Sequence, residues 1–382
     1  MKNRSFRRTL AAALIGTTAM ALLAGCGGST AATTSADTAA EESADAEAEE
    51  SADAAAGENT DAAVEESADA AEGTTTAAED DGTYHMAYVS TVRDEYLGLL
   101  EEEVVNAAKE QGVDMEVLFA ENDAMKMIDC VEAAKNAGKD AVLINLYASE
   151  EAQACIDAAG DDMKVIFVNR EPDSFDVLNE NVVFVGSDEH TSGRFQGEYL
   201  AEYFKEQGKT DVSYVLLRGT EGLVHTDLRS DGAIQAMKDA GLNVTEAAVV
   251  EGDYDRNTAK NQMDVVLPGL ECDCIIANND AMALGAILAM KDAGIDPASI
   301  PVVGIDATED GKEAIRSGEM AMTVFQSAKG QAVSSVQAAI NVLEGKALEE
   351  GTDCVKAESS PYVIFYPFIP VTAENVDEIA KN

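Results

Sequence analysis

Residues 275–294 have the sequence IIANNDAMALGAILAMKDAG, in which a short apolar run stands directly before a helical pattern. The apolar run is typical of a buried strand, and the pattern from about residue 281 to 293 predicts a helix. Between them lie Asn278, Asn279 and Asp280. Because Asn and Asp often cap helices, Asp280 is predicted to be the N-cap or a first-turn acid and Asn278 a turn residue. Asn279 is equally compatible with a cap and with a ligand contact.

The same strand-then-helix unit recurs along the chain after Tyr84, in two successive series. Predicted strands cover residues 86–90, 115–120, 141–145, 165–169, 182–186, 212–217, 243–250, 275–278, 301–306 and 321–325. Predicted helices lie near 94–110, 124–137, 149–159, 191–207, 226–240, 255–267 and 281–293. Continuously apolar strands that alternate with helices are typical of parallel sheets covered on both faces. The sequence therefore predicts an α/β fold with two doubly wound parallel-sheet lobes.

The N-terminal region has the features of an exported protein. Lys2, Arg4, Arg7 and Arg8 precede an apolar run from residue 10 to 23, so residues 1–25 are predicted to be a signal peptide. The sequence LAGC ending at Cys26 is similar to a bacterial lipobox, which predicts a lipoprotein signal with lipidation of Cys26 and attachment to the membrane through the lipid alone. An ordinary signal peptide followed by a chance cysteine is the alternative.

Residues 26–83 are predicted to form an acidic, disordered tether. From Gly27 to Gly82 the composition is dominated by Ala, Glu, Asp, Ser, Thr and Gly, and EESADA occurs at 41–46, 49–54 and 65–70. Such a segment cannot bury enough apolar surface to offset the entropy of ordering. Transient helix is the alternative, and it would still act as a spacer.

The charge of the chain limits its partners. The whole sequence has a formal net charge of −46, and residues 83–382, with 22 basic and 55 acidic side chains, have a net charge of −33. A field of this sign repels nucleic acid and anionic membrane surfaces. We therefore expect neither as a partner.

The cysteines do not indicate a metal site. Beyond Cys26 the chain has five, which is an odd number. Cys272 and Cys274 are not followed by a second pair, so the spacing of a zinc site is absent. Most are interpreted as buried small apolar residues, and a bridge between Cys130 and Cys155 stays open as an alternative.

Polar and aromatic side chains follow nearly every predicted strand. In doubly wound sheets, ligands bind beyond the carboxyl ends of the strands, so these side chains are the candidate ligand contacts. They are Asp94, Tyr96, Asn169, His225, Asp227, Arg229, Tyr254, Asn279, Asp306 and Gln326. Taken singly, each Asn or Asp could be a helix cap. The repetition at several strand ends favours a binding site.

The chemistry of this set fits a neutral sugar. Carboxylates accept hydrogen bonds, Asn and Gln both donate and accept, and Arg donates in a fork, which together match the hydroxyls of a polyol. Tyrosine rings suit the apolar faces of a pyranose. No glycine-rich phosphate loop follows a strand, and no G-x-S-x-G nucleophile elbow is present. The sequence predicts a binding protein without cofactor rather than an enzyme.

Five motifs carry a resemblance to a known family. They are FVNREP at 167–172, VGSDEHTSG at 185–193, YVLLRGTEG at 214–222, IIANNDAMALGA at 275–286 and PVVGIDA at 301–307. In order and spacing they resemble the periplasmic sugar-binding proteins of type I topology, and most of all the branch that binds D-galactose and D-glucose. The resemblance implies two lobes joined by a three-segment hinge, which close on one sugar and deliver it to an ATP-driven (ABC) importer. It also implies that some members signal to a chemoreceptor.

The resemblance gives roles to individual residues. It implies sugar contacts from Asp94, Asn169, Arg229, Asn279 and Asp306. The stacking aromatics of the family fall on Tyr96 and Tyr254, and its late Asn falls on Gln326.

Two departures from the family pattern change what is expected. The family's His-x-Asp-x-x-x-Arg is replaced by His225, Asp227 and Arg229 at closer spacing, so the sugar that is bound stays open. The segment KEQGKTD at 205–211 has too few oxygen ligands for the family's calcium loop, so no metal site is expected.

The resemblance also gives the lobe boundaries and the partners. The sugar-binding domain is expected at 84–378, with lobe 1 at about 84–187 and 327–360 and lobe 2 at about 188–326 and 361–378. The expected partners are a monosaccharide of galactose or glucose type and the permease subunits of an ABC importer, with the protein itself a monomer. A surface sugar sensor or chemoreception subunit without a transport role is the alternative.

Overall fold

A computed structural model describes residues 82–379. The predicted signal peptide, Cys26 and the tether as far as residue 81 lie outside the described residues. Between 82 and 379, none of the helices is long and apolar enough to cross a membrane.

The described chain alternates strands and helices, as the sequence predicts. The strands are β1 (His85–Ser90), β2 (Asp114–Phe119), β3 (Ala141–Ile144), β4 (Lys164–Val168), β5 (Val182–Gly186), β6 (Asp211–Arg218), β7 (Asn243–Glu251), β8 (Cys274–Ala277), β9 (Val302–Val303), β10 (Thr323–Phe325), β11 (Val355–Lys356), β12 (Val363–Phe365) and β13 (Ile369–Val371). The α-helices are α1 (Leu97–Glu110), α2 (Ala124–Asn136), α3 (Ala152–Ala159), α4 (Glu189–Glu206), α5 (Val224–Asp239), α6 (Arg256–Val266), α7 (Asp280–Asp292), α8 (Glu309–Arg316) and α9 (Ala328–Glu344). Short 3-10 turns lie at Ser149–Glu151, Phe175–Val177 and Pro297–Ser299.

The strands form two parallel sheets, which confirms the predicted fold class. The first sheet has the order β11-β12-β5-β4-β3-β1-β2 and is parallel except for β11, which is antiparallel to β12. The second sheet has the order β7-β6-β8-β9 and is parallel throughout. A separate antiparallel pair joins β10 to β13.

Each sheet has a hydrophobic core on both of its faces, because successive strand residues point to opposite sides. In β1, Met86 and Tyr88 pack in one cluster with α1 and α9, whereas Ala87 and Val89 pack in another with α2 and α3. In β6 the clusters likewise alternate, with α6 and α7 on one face and α4 and α5 on the other. The two sheets with their helices are the two lobes.

The chain passes between the lobes at three places, which are the hinge segments. It leaves the first sheet after β5 to enter α4, returns after β10 into α9, and passes again from β12 to β13. One boundary of the sequence prediction is wrong. Residues 361–365 were expected in lobe 2, but β12 pairs in parallel with β5, and its residues Val363 and Ile364 are buried in the first sheet.

The cysteines and acidic side chains add no cross-link or metal site to the described part of the chain. The five cysteines within it are all free thiols, so Cys130 and Cys155 are not bridged. No group of three or more His, Cys, Asp or Glu side chains between 82 and 379 is arranged to hold a metal ion.

Candidate functional site

A cavity lies between the carboxyl ends of the strands of the two sheets. Its lining side chains come from both lobes: Asp94, Tyr96, Leu97, Asn169, Arg170, His225, Arg229, Tyr254, Asn279, Asp306 and Gln326. Nine of the ten residues that the sequence singled out as candidate contacts are among them.

The lobes also contact each other directly at the edges of this cavity. On one side, the Ser149 amide donates to the Gly222 carbonyl, and the Val224 amide donates to the Ser149 hydroxyl, both at 3.2 Å. On the other side, Arg256 of α6 pairs with Glu95, which follows β1, at 2.7 Å. The cavity is therefore bounded by hydrogen bonds that join one lobe to the other.

Two polar atoms that belong to lining residues are buried without a protein partner. Neither the Tyr96 hydroxyl nor the His225 Nδ1 has a hydrogen-bond partner among the described residues. Tyr96 and His225 are 6% and 7% exposed. An unpaired buried polar group costs about 1–3 kcal/mol, so these two atoms indicate a polar ligand.

Asn169 is held in a fixed orientation by buried amides. Its backbone is in the left-handed region, with φ of 67°, which Asn tolerates better than most residues. Its Nδ2 donates to Gln331 Oε1 at 3.2 Å, and its Oδ1 accepts from Asn145 Nδ2 at 3.4 Å. Gln331 donates in turn to the Ser187 hydroxyl at 2.9 Å. This network fixes the orientation of the Asn169 amide, so that the positions of its donor and acceptor atoms beside the cavity are defined.

Asp94 both starts a helix and lines the cavity. Its Oδ1 accepts from the amides of Tyr96 and Leu97 at 3.0 and 2.7 Å, so α1 begins at Leu97 rather than at residue 94 as the sequence predicts. Burial raises the pKa of Asp94, although the bond from Leu97 and the positive charge of Arg170 oppose that rise.

Arg229 is fixed by an ion pair with Glu189. Its Nε and Nη2 donate to the two Glu189 oxygens at 2.7 and 2.8 Å, and its Nη1 donates to the Asn278 carbonyl at 2.8 Å. A fourth bond runs from Nη2 to Gln326 Oε1 at 3.3 Å. Burial alone would lower the pKa of Arg229, but the charge of Glu189 raises it. Arg229 is therefore a cation throughout the accessible pH range.

Tyr254 and His225 form a stacked pair in the second lobe. Their ring centroids are 5.2 Å apart at an interplanar angle of 29°. The Tyr254 hydroxyl is 2.8 Å from that of Thr226. One face of Tyr254 is thus covered by the imidazole. Burial and then the charges of Arg229 and Arg170 lower the pKa of His225 well below its usual range, so the imidazole is neutral.

The opening stretch of the sequence has one of the arrangements predicted for it. Asn279 is the N-cap of α7, because its Oδ1 accepts from the Met282 amide at 3.0 Å, and Asp280 is the acid in the first turn. Its Nδ2 donates to the Tyr254 carbonyl at 3.3 Å, and it also lines the cavity. Asn278 accepts through Oδ1 from the Gly219 amide at 3.1 Å, as a buried turn residue can.

Asp280 is a buried acceptor in the first turn of α7. It accepts from the Thr323 hydroxyl at 2.6 Å and from the Thr308 amide at 2.9 Å. Burial raises its pKa to about 7, although these bonds lower it. Asp280 thus joins α7 to the segments after β9 and before β10.

Asp306 lies at the end of β9 with φ of 119°, a conformation that L-residues rarely adopt. Burial raises its pKa well above the usual range, although Arg229 opposes the rise. Gln326, directly after β10, lies close enough to Arg229 and Glu189 to bond both.

One predicted site residue is not at the cavity, and two lining residues, Leu97 and Arg170, were not among the predicted contacts. Asp227 is exposed and pairs with Arg218, so its place among the predicted contacts is wrong. His225 and Arg229 are four residues apart on one face of α5, and Asp227 lies midway on the other face. Arg170, which is 5% exposed and donates to the Leu146 carbonyl at 2.8 Å, lines the cavity. Its position directly after Asn169, at the end of a predicted strand, could have identified Arg170 as a candidate contact.

Comparison with known proteins gives a family match and close relatives. Residues 87–347 match the model of a periplasmic binding protein domain. A putative rhizopine-binding protein of Rhizobium meliloti is 32% identical over 275 residues, which is 71% of this chain and 84% of that protein. The D-galactose/methyl-galactoside binding periplasmic protein of Haemophilus influenzae is 29% identical over 301 residues, which is 75% of this chain and 89% of that protein.

A solved structure of similar sequence extends the likeness to the fold. It is an ABC transporter solute binding protein of Bacillus halodurans with bound myo-inositol, and it is 28% identical with a TM-score of 0.67. The alignment covers 78% of this chain and 98% of that one.

Proposed function

The chain belongs to the periplasmic binding protein family, and we propose that it is the sugar-binding subunit of an ABC importer, holding one neutral monosaccharide in the interlobe cavity. The observation that carries this proposal is the pair of unpartnered buried atoms, Tyr96 Oη and His225 Nδ1, on two residues that line the cavity. A ligand hydroxyl can both donate and accept hydrogen bonds, so it can satisfy the Tyr96 hydroxyl and the His225 ring nitrogen, whereas an apolar ligand cannot.

The remaining lining groups support a ligand with several hydroxyls. Asp94 and Asp306 supply acceptors, Asn169 and Asn279 supply both kinds of group, and Arg170 supplies a donor fork. We propose an aldohexose of galactose or glucose type, in line with the Haemophilus influenzae relative, which is named for D-galactose.

A thermal-shift screen of the mature protein tests this function. A ligand that binds only the folded state stabilises it by mass action and so raises the melting temperature. At a ligand concentration of one hundred times Kd, the gain in unfolding free energy is about 2.7 kcal/mol. We expect galactose, glucose or a close polyol such as myo-inositol to raise it, and charged or apolar compounds of similar size to leave it unchanged. If amino acids or nucleosides shift the melting temperature and no polyol does, the proposed function is wrong.

We also propose that the protein is extracytoplasmic, at the cell surface or in the periplasm, and is attached to the bacterial membrane by lipid on Cys26. The LAGC sequence that ends at Cys26 supports this attachment, which would keep the binding domain near its permease. Cys26→Ala should release the protein from the membrane fraction, and mass spectrometry of the N-terminal peptide should find lipid only on the unsubstituted chain. Membrane retention of Cys26→Ala would contradict the attachment.

A further inference from the structure

Glu189 lies directly behind the cavity, in contact with Arg229 but not among the lining residues. It is the first residue of α4, a position where the helix dipole favours a negative charge. The side chains of Glu189 and Arg229 are 2% and 5% exposed. The pair is therefore a desolvated, bidentate ion pair at the base of the ligand site.

This pair uses most of the hydrogen-bonding capacity of Arg229. A guanidinium has five N–H donors, and the contacts with Glu189, Asn278 and Gln326 account for four of them. Among the described residues, this count leaves one N–H of Nη1 that can donate to a ligand. The arginine that the family resemblance places on the sugar is here mostly bonded to the protein.

The pair also decides the charge of the site. Two arginines, Arg170 and Arg229, face three acidic side chains, Asp94, Asp306 and Glu189, and burial raises the pKa of Asp306 well above its usual range. If Glu189 were neutral, only Asp94 and Asp306 would face the two arginines. Because interactions between charges are strong away from water, the one buried carboxylate behind Arg229 changes how the cavity receives a charged ligand.

Stability alone gives no reason for a charged pair at this position. Removing two ions from water is costly, and an apolar pair of similar volume often stabilises a protein equally well or better. A role in recognition gives such a reason, because Glu189 offsets the charge of Arg229 without itself occupying the ligand site.

We propose that Glu189 is a specificity-determining residue, which neutralises Arg229 so that the cavity takes uncharged sugars and rejects sugar acids. This inference rests on the proposed function. A uronate differs from its parent hexose by a carboxylate in place of the terminal hydroxymethyl group. In the native cavity this carboxylate would add a further negative charge beside an arginine that Glu189 already neutralises.

The test is a set of calorimetric titrations with matched pairs of ligands, galactose with galacturonate and glucose with glucuronate. The measured quantity is the ratio of uronate affinity to hexose affinity for each protein. Glu189→Gln keeps the shape of the side chain and removes its charge, so we expect the ratio to rise by about tenfold or more. Glu189→Asp keeps the charge on a shorter side chain, so it should weaken binding of both ligands and leave the ratio low.

Asp188→Asn is the matched control. Asp188 is the neighbouring carboxylate at the start of α4, it is exposed, and it bonds the Thr191 hydroxyl rather than Arg229. Its substitution removes the same unit of charge one residue away, and the ratio should not change. Melting curves of the empty proteins establish that each variant is folded.

Three results would overturn the proposal: an unchanged ratio in folded Glu189→Gln, an equal rise in Asp188→Asn, or an unsubstituted protein that binds uronate as tightly as hexose. The last measurement decides the matter even if Glu189→Gln does not fold. Failure of the unsubstituted protein to bind any neutral sugar is a separate outcome, because it contradicts the proposed function itself.

Discussion

Arg256 and Glu95 form an ion pair that joins the two lobes, with Nη2 of one 2.7 Å from Oε2 of the other. The same Nη2 lies 2.9 Å from Asp310 within the second lobe. Arg256 therefore stays paired if the lobes separate, whereas Glu95 loses its partner. The pair favours the arrangement in which the lobes enclose the cavity.

We expect Glu95→Gln to weaken ligand binding modestly. A partly exposed ion pair contributes about 0.2–1 kcal/mol, which is up to roughly fivefold in Kd. Because salt screens exposed charges, the difference from the unsubstituted protein should shrink at high ionic strength. Titration calorimetry at low and high salt measures both effects.

Asp377→Asn is the control for that variant, because Asp377 pairs with Arg316 inside the second lobe at 2.9 Å. It removes one charge from an exposed ion pair and should leave Kd unchanged. If Asp377→Asn weakens binding as much as Glu95→Gln, the effect comes from net charge and not from the interlobe contact.

Asn279 has two functions that two substitutions can separate. Asn279→Ser keeps a capping oxygen but cannot extend into the cavity, whereas Asn279→Ala removes both groups. We expect both variants to lose about 1–3 kcal/mol of binding, roughly tenfold to a hundredfold in Kd. Only the Ala variant should also lose stability, by about 1 kcal/mol of unfolding free energy, because it lacks the capping oxygen of α7. Ligand titrations and urea denaturation measure the two quantities, and sugar binding at native strength by Asn279→Ser would contradict the cavity role.

Asp280 should make stability depend on pH in a defined direction. Burial raises its folded-state pKa to about 7, well above its unfolded value, so the folded state binds the proton more tightly. Its contribution to stability is therefore full below about pH 4 and is lost as the pH rises towards 7. The unfolding free energy of the native protein, relative to Asp280→Asn, should fall between pH 4.5 and 7.5 in urea denaturation. A difference that rises with pH would show that the hydrogen bonds from Thr308 and Thr323 outweigh burial.

Much of the site could be predicted from the sequence, because a parallel sheet brings the carboxyl ends of its strands to one edge. Asn169, Asp306 and Gln326 follow three strands that lie far apart along the chain, and all three line one cavity. Local strand patterns were sufficient to predict these three contacts, because each residue needed only to be placed at the end of a strand.

The failures of the prediction have several physical causes. Asp227 was included because, with His225 and Arg229, it follows a predicted strand, but a helix turns about 100° per residue and places it on the opposite face of α5. Glu189 was not identified because its partner, Arg229, is 40 residues away along the chain. Side-chain pairs between helices depend on packing that strand and helix patterns do not contain. The strand β12 is only three residues long, so its pairing with β5 gave little signal.

Asp227 now gives a negative prediction. Because its side chain is exposed and bonds Arg218, Asp227→Asn should bind ligand within about twofold of the unsubstituted protein. Titration calorimetry checks this. A tenfold loss in a variant that melts normally would mean that α5 turns its other face to the ligand.

The most direct test of the sugar-binding cavity is a calorimetric titration of neutral hexoses into the unsubstituted protein and into Tyr96→Phe. This substitution removes one buried oxygen that has no partner among the described residues. We expect one ligand per chain, and a Kd for Tyr96→Phe that is weaker by about 0.5–1.5 kcal/mol, roughly twofold to tenfold, while the empty variant melts no lower than the native protein. Native-strength hexose binding by Tyr96→Phe, or no hexose binding by the unsubstituted protein, would contradict this expectation.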